Sequence, residues 1–162
     1  MRPEIGGTAG LDVRIAWRLR NSWQATALLR RTAETVLAAE GFRAGHLSVA
    51  VVGRTAMATL HLRFMDVAGP TDVLTFDLDS DVAAGRIDAE IVVCADVARR
   101  NAAARGGTLR AAREELALYL VHGILHVAGY DDHEPRDAAR MHRREDELLS
   151  ICGLPPVYRE GA

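Results

Sequence analysis

Residues 108–129 read TLRAAREELALYLVHGILHVAG. Thr108 carries the hydroxyl of a helix N-cap, and Leu109, Leu116, Tyr119, Leu120 and Ile124 recur at helical spacing. Gly129 offers the left-handed turn that stops the helix. A long helix with one apolar side needs a partner layer, and the sequence on either side supplies a sheet.

Upstream, residues 13–19 (VRIAWRL) alternate apolar and Arg positions, the pattern of a strand with one buried face. Ser22 can cap a helix that runs through Leu28, Leu29, Val36 and Leu37 to about Glu40, where Gly41 stops it. Residues 46–52 are rich in β-branched side chains and predict a second strand. Met57, Leu60 and Phe64 sit at helical spacing within residues 55–64, and Pro70 ends any helix there. Residues 71–78 (TDVLTFDL) alternate strictly and predict a strand. A polar link follows, then a strand over residues 89–94. Asp96 is read as the cap of a short helix that Gly106-Gly107 breaks. Beyond Gly129, Glu134-Pro135 starts a last helix through Met141 and Leu148 to Ile151. The order β-α-β-α-β-β-α-α-α implies an α+β (α/β) fold: one domain over residues 1–162, with a single sheet of about four mixed strands and about five helices.

Composition narrows the functional classes. Half of the chain is apolar and the formal net charge is −2, which argues against a disordered chain and against a general polyanion-binding surface. Any nucleic-acid contact must use a local basic groove. All 20 basic residues are Arg, so an anion site would use the planar guanidinium fork. The cysteines Cys94 and Cys152 have no CxxC spacing, the N-terminal residues lack the apolar core of a signal peptide, and no apolar run is long enough to span a bilayer. A cytoplasmic protein with no membrane partner is expected.

His122 and His126 are four apart on the long helix, so their imidazoles share one face and can share one metal ion. Gly129 turns the chain back, bringing Asp132 or His133 round as a third ligand. Two histidines with a carboxylate and three histidines are both established zinc sets, so residue chemistry leaves the third ligand open. The neighbour that does not ligate can orient a ligand imidazole. Zinc peptidases with this histidine spacing place Glu directly after the first His as general base, and here that residue is Gly123. Peptidase chemistry therefore lacks its base.

The segment HGILHVAGYDDH, residues 122–133, resembles the His-Gly-x-Leu-His-Leu-x-Gly-Tyr-Asp-His signature of the YbeY family of single-strand-specific bacterial endoribonucleases. The block PTDVLTF at residues 70–76 is similar to that family's Pro-Thr-Asp-Val-Leu-Ser-Phe, and AEIVVC at residues 89–94 to its Gly-Asp/Glu-Ile strand. The resemblance implies a zincin-like metal helix, one zinc ion, and a role in maturation of ribosomal RNA at the 3′ end of the small-subunit molecule and in ribosome quality control. It also implies single-stranded RNA as substrate and the ribosome or its proteins as partners. In the family the third ligand is a His six residues after the second. Here that place holds Asp132, with His133 one further on, and the spacing favours Asp132. The family's Arg before the Pro-Thr-Asp block is replaced by Met65. Arg63 is the nearby candidate for its role.

The expected catalytic residues are thus Arg63, His122 and His126, and the expected metal ligands His122, His126 and Asp132 or His133. Arg99, Arg100 and Arg105 are further candidates for the basic groove, and Phe64 and Tyr130 for base stacking. The alternatives are a zinc metallopeptidase-like hydrolase and a ribosome assembly factor whose metal is structural.

Overall fold

A computed structural model describes residues 10–20 and 23–158. The elements follow the predicted order: β1 (Leu11–Trp17), α1 (Thr26–Ala39), β2 (Ala44–Val52), α2 (Arg54–Met65), β3 (Val73–Asp77), β4 (Arg86–Cys94), α3 (Ala95–Ala102), α4 (Leu109–Val127) and α5 (Pro135–Ile151). A single 3-10 turn, Ala103–Arg105, joins α3 to the Gly-Gly break. The four strands form one mixed sheet in the order β1-β2-β4-β3. β1, β2 and β4 run parallel, and β3 lies antiparallel to β4 at an edge.

Several boundaries differ from the sequence expectation, each for a packing reason. Helix α1 begins at Thr26, after Ala25 as N-cap, because Trp23, 5% exposed, is drawn into the core edge-on to Trp17 ahead of it. Ser22, the predicted cap, lies outside the described residues. Strand β4 starts at Arg86 rather than residue 89 because its polar beginning pairs with Ala44–His46 of β2. Asp96 does not cap α3, whose N-cap is Cys94. Its Oδ2 instead accepts the Arg54 N–H at 2.7 Å, serving the N-terminus of α2, where Gly53 has no side chain to offer.

The apolar stripe predicted for α4 is too narrow. The helix is buried almost all round, because β3 and β4 lie against one side and α1, α3 and α5 against the others. Leu116, Leu120, Ile124 and Leu125 have no exposed surface. Each such side chain contributes about 1.5–3 kcal/mol of transfer free energy, so this burial rather than helix propensity fixes α4 in place. Leu109, expected on the apolar side, is 38% exposed. Thr108 does cap the helix, accepting the Ala111 N–H at 3.0 Å. Helix α2 lies across the opposite face of the sheet, where Ala56, Thr59 and Leu60 face Ser48, Ala50 and Val92.

Candidate metal centre

Helix α4 delivers His122 and His126 at its C-terminal end, where the helix dipole favours positive charge. Gly129 then adopts φ 103°, a conformation open to glycine and strained for other residues. Its N–H donates to the His126 carbonyl and the Tyr130 N–H to the Leu125 carbonyl, the two bonds of a Schellman turn. This turn sends the chain back over the end of the helix.

The residue that arrives beside the histidines is Asp132. Its Oδ2 lies 3.6 Å from His122 Nε2 and 3.7 Å from His126 Nε2, and the two Nε2 atoms are 3.0 Å apart. His133 lines the same cleft, but its imidazole is engaged by Asp131 rather than by the two histidines. Asp131 Oδ1 accepts the N–H groups of Asp132 and His133 and also bonds the His133 imidazole, a local turn that leaves the His133 side chain 84% exposed. The Asp131 hydrogen bond holds the His133 pKa above its usual value, and His133 in turn lowers that of Asp131.

Both imidazoles are oriented from behind. His122 Nδ1 is 2.5 Å from Glu145 Oε1, and His126 Nδ1 is 3.1 Å from the Tyr130 carbonyl. A carboxylate and a carbonyl can only accept, so each Nδ1 carries the proton and each Nε2 directs a lone pair at the shared point. Two lone pairs and a carboxylate facing one another repel unless a cation lies between them. Burial alone would lower the His122 pKa, but the Glu145 hydrogen bond and charge, with Asp132 and Asp72 behind it, outweigh burial and raise it. The field at this point therefore favours positive charge. Zinc bonds of about 2.0–2.2 Å in a tetrahedron place ligand atoms about 3.3–3.6 Å apart, and the three observed separations of 3.0, 3.6 and 3.7 Å bracket that range. The three residues fit a divalent ion.

A cleft of about 440 Å³ opens over this cluster, walled by β3 from Asp72 to Asp77, by Met65 and by Val127. Asp72 braces the entry to β3, its Oδ1 accepting the Val73 N–H at 2.8 Å, and it also faces the cleft. Met65 lies in the wall, and Arg63 stands outside it with its guanidinium 5.3 Å above the Phe64 ring. Phe64 meets Phe76, a wall residue, edge-on at 5.1 Å. None of the described wall residues is Arg, and Asp72, Asp77 and Asp132 make the wall acidic. The other expected groove arginines are not brought to it. Arg105 is held 2.6 Å from Glu115, and Arg99 rests 6.0 Å over Trp23. Glu90 lies on the opposite face of the sheet, beside the α2 groove. Arg140 does reach the neighbourhood, 5.2 Å over the Tyr130 ring.

Two features of the site escaped the sequence reading. Glu145 is fully buried beside Met141 and Leu148, and an acid within that apolar stripe of α5 was the available signal. Gly123 is a packing residue: a Cβ there would come 2.9 Å from Thr75 Oγ1 and 3.0 Å from Ile91 Cδ1.

The model of the family described as endoribonuclease YbeY matches residues 17–153. A Mycolicibacterium vanbaalenii protein named endoribonuclease YbeY is 43% identical over 115 residues, which is 65% of this chain and 61% of the relative. A Mycobacterium tuberculosis protein of the same name is 42% identical over 112 residues, 64% of this chain and 62% of the relative. The chain thus spans about three fifths of the length of these curated relatives. The solution structure of TM1509 from Thermotoga maritima superposes with a TM-score of 0.57 at 26% identity, covering 86% of this chain and 90% of that one.

Proposed function

The chain belongs to the endoribonuclease YbeY family, and from that membership we propose that it is a metal-dependent endoribonuclease acting on single-stranded RNA, with His122, His126 and Asp132 as its metal ligands. The observation that carries this reading is the meeting of the two Nε2 atoms and Asp132 Oδ2 within 3.0–3.7 Å in the cleft. Zinc suits a set of two imidazoles and a carboxylate and keeps a fourth position for solvent or substrate. When bound, such an ion supplies Lewis acidity towards a phosphoryl oxygen and acidifies water.

The chain's own residues do the rest. Glu145 and the Tyr130 carbonyl fix the tautomers of the two imidazoles. Arg63 on Phe64 and Arg140 on Tyr130 are two cation–ring pairs outside the cleft wall, suited to phosphate and to unstacked bases of a strand that extends beyond it. Because Asp72 and Asp77 stay in the wall, an empty centre would repel a phosphodiester, so RNA binding is coupled to metal loading. The substrate on this reading is ribosomal RNA, cleaved near the 3′ end of the small-subunit molecule during maturation and quality control. The ribosome or its proteins are partners, and one domain works in the cytoplasm. No described helix is long and apolar enough to cross a membrane.

The test is incubation of zinc-loaded and chelator-treated protein with single-stranded RNA, duplex RNA and an unfolded protein substrate. Cleavage of single strands only, abolished by chelator and by His126→Ala, is expected. Intact RNA would refute the assignment, and cleavage of the protein substrate would return the site to peptidase chemistry. A purely structural metal instead predicts that His126→Ala unfolds the chain.

A further inference from the structure

β3 closes one side of the sheet, and its outer edge is unpaired among the described residues. The Leu78 N–H donates to the Asp88 carbonyl at 2.8 Å and the Cys94 N–H to the Asp72 carbonyl at 2.9 Å, so the even-numbered residues carry the hydrogen bonds to β4. Thr75 and Asp77 alternate with them and turn their N–H and C=O groups outward. The outward N–H of Val73 is taken by Asp72 Oδ1, but no described side chain or loop takes up those of Thr75 and Asp77. Every residue from Asp72 to Asp77 lines the metal cleft, on whichever face its side chain lies, so this backbone edge itself faces the cleft.

A chain lying along the edge would meet two different surfaces. Thr75 packs at Gly123 of α4, and alternation puts Asp77 on that same side, with Asp132. Phe76 meets Phe64 on the other side, where Phe64 and Met65 of α2 are each more than half exposed. A free strand edge presents donors and acceptors in turn, which an extended peptide matches and phosphate oxygens, acceptors only, do not. The wall adds a sign of charge, since it holds three aspartates and no described Arg. We infer that the β3 edge is a docking site for an extended basic segment of a partner protein, added as a further strand. Its alternate Lys or Arg side chains face Asp77 and Asp132, and the apolar ones between them face Phe64 and Met65. Such a segment lies across the mouth of the cleft and excludes RNA from it.

The inference needs neither a metal nor cleavage, so it stands or falls apart from the proposed activity. Its test is fluorescence anisotropy of the full chain, metal-free, with a short, end-capped peptide alternating Arg and Val. This probe should bind, and its counterpart alternating Glu and Val should not. N-methylation at the Arg positions or at the Val positions removes donors from opposite edges of the peptide. One pattern should weaken binding roughly 10- to 100-fold, the effect of losing about two backbone hydrogen bonds, and the other should leave it unchanged. On the protein side, Asp77→Ala removes a wall charge and keeps the outward N–H, whereas Asp77→Pro removes both, and proline is tolerated at an edge position of this kind. Asp77→Pro should therefore bind the peptide more weakly than Asp77→Ala. Equal binding of the Arg and Glu peptides overturns the inference, and so does equal loss from both methylation patterns. A difference between the two variants seen with a single-stranded oligonucleotide and not with the peptide also overturns it, giving the edge to RNA. If Asp77→Pro does not fold, the methylated peptides decide.

Discussion

At Gly123 the backbone of α4 approaches the sheet so closely that a Cβ would sit 2.9 Å from Oγ1 of Thr75. The Gly that removes the peptidase base is thus also the contact that lets the metal helix pack on β3 and β4. Gly123→Ala gains about 1 kcal/mol of helix propensity and loses about 1–3 kcal/mol to overpacking. A net destabilisation of about 1 kcal/mol is expected in urea unfolding. Gly123→Glu, which would bury a carboxylate against Ile91, should not yield folded protein or peptidase activity.

Zinc should stabilise the fold. At a free concentration about 100 times Kd, binding adds about 2.7 kcal/mol. For a domain of this size that is roughly 5–11 °C in Tm. A thermal melt with and without zinc measures it, and His126→Ala should show no shift.

Asp132 and His133 give opposite expectations. Asp132 Oδ2 faces both imidazoles, whereas His133 is turned outward onto Asp131. Asp132→Ala should lose most zinc affinity and His133→Ala should keep it, as titration calorimetry would read. The reverse result would assign the third ligand to His133.

Asp96 ties the start of α2 to the start of α3 through the Arg54 N–H. Asp96→Ala should cost about 1 kcal/mol in denaturant unfolding, the usual loss for a missing cap. Because α2 carries Met65 to the cleft wall, single-strand cleavage should also fall if that reading of function holds.

Phe64 is 52% exposed at the edge of the cleft wall. If unstacked bases rest there, Phe64→Ala weakens single-stranded RNA binding by about 1–3 kcal/mol. Fluorescence anisotropy with a short oligonucleotide checks this, and unchanged affinity would place base contacts elsewhere.

The order of the elements was legible in the sequence because it depends on local patterns. Period-two alternation marked β1 and β3, helical spacing marked α2, and Thr108, Gly129 and Pro135 punctuated the last helices through their own backbone chemistry. The approach of His122 to His126 was legible for the same reason, since four residues on a helix fix two side chains to one face. Four things depended on particular side-chain contacts, which residue spacing does not encode. Trp23 entering the core against Trp17 moved the start of α1, and Asp96 served α2 instead of its own helix. Asp132 was separated from its neighbour His133 by the turn that Asp131 builds, a choice made by a few hydrogen bonds. Glu145 came to His122 from 23 residues away because α5 packs on α4, and a buried carboxylate gains a partner only when that packing forms. The sequence by itself determined which helix carries the histidines; the tertiary structure decided what surrounds them, because burial and charge pairing are properties of the assembled fold.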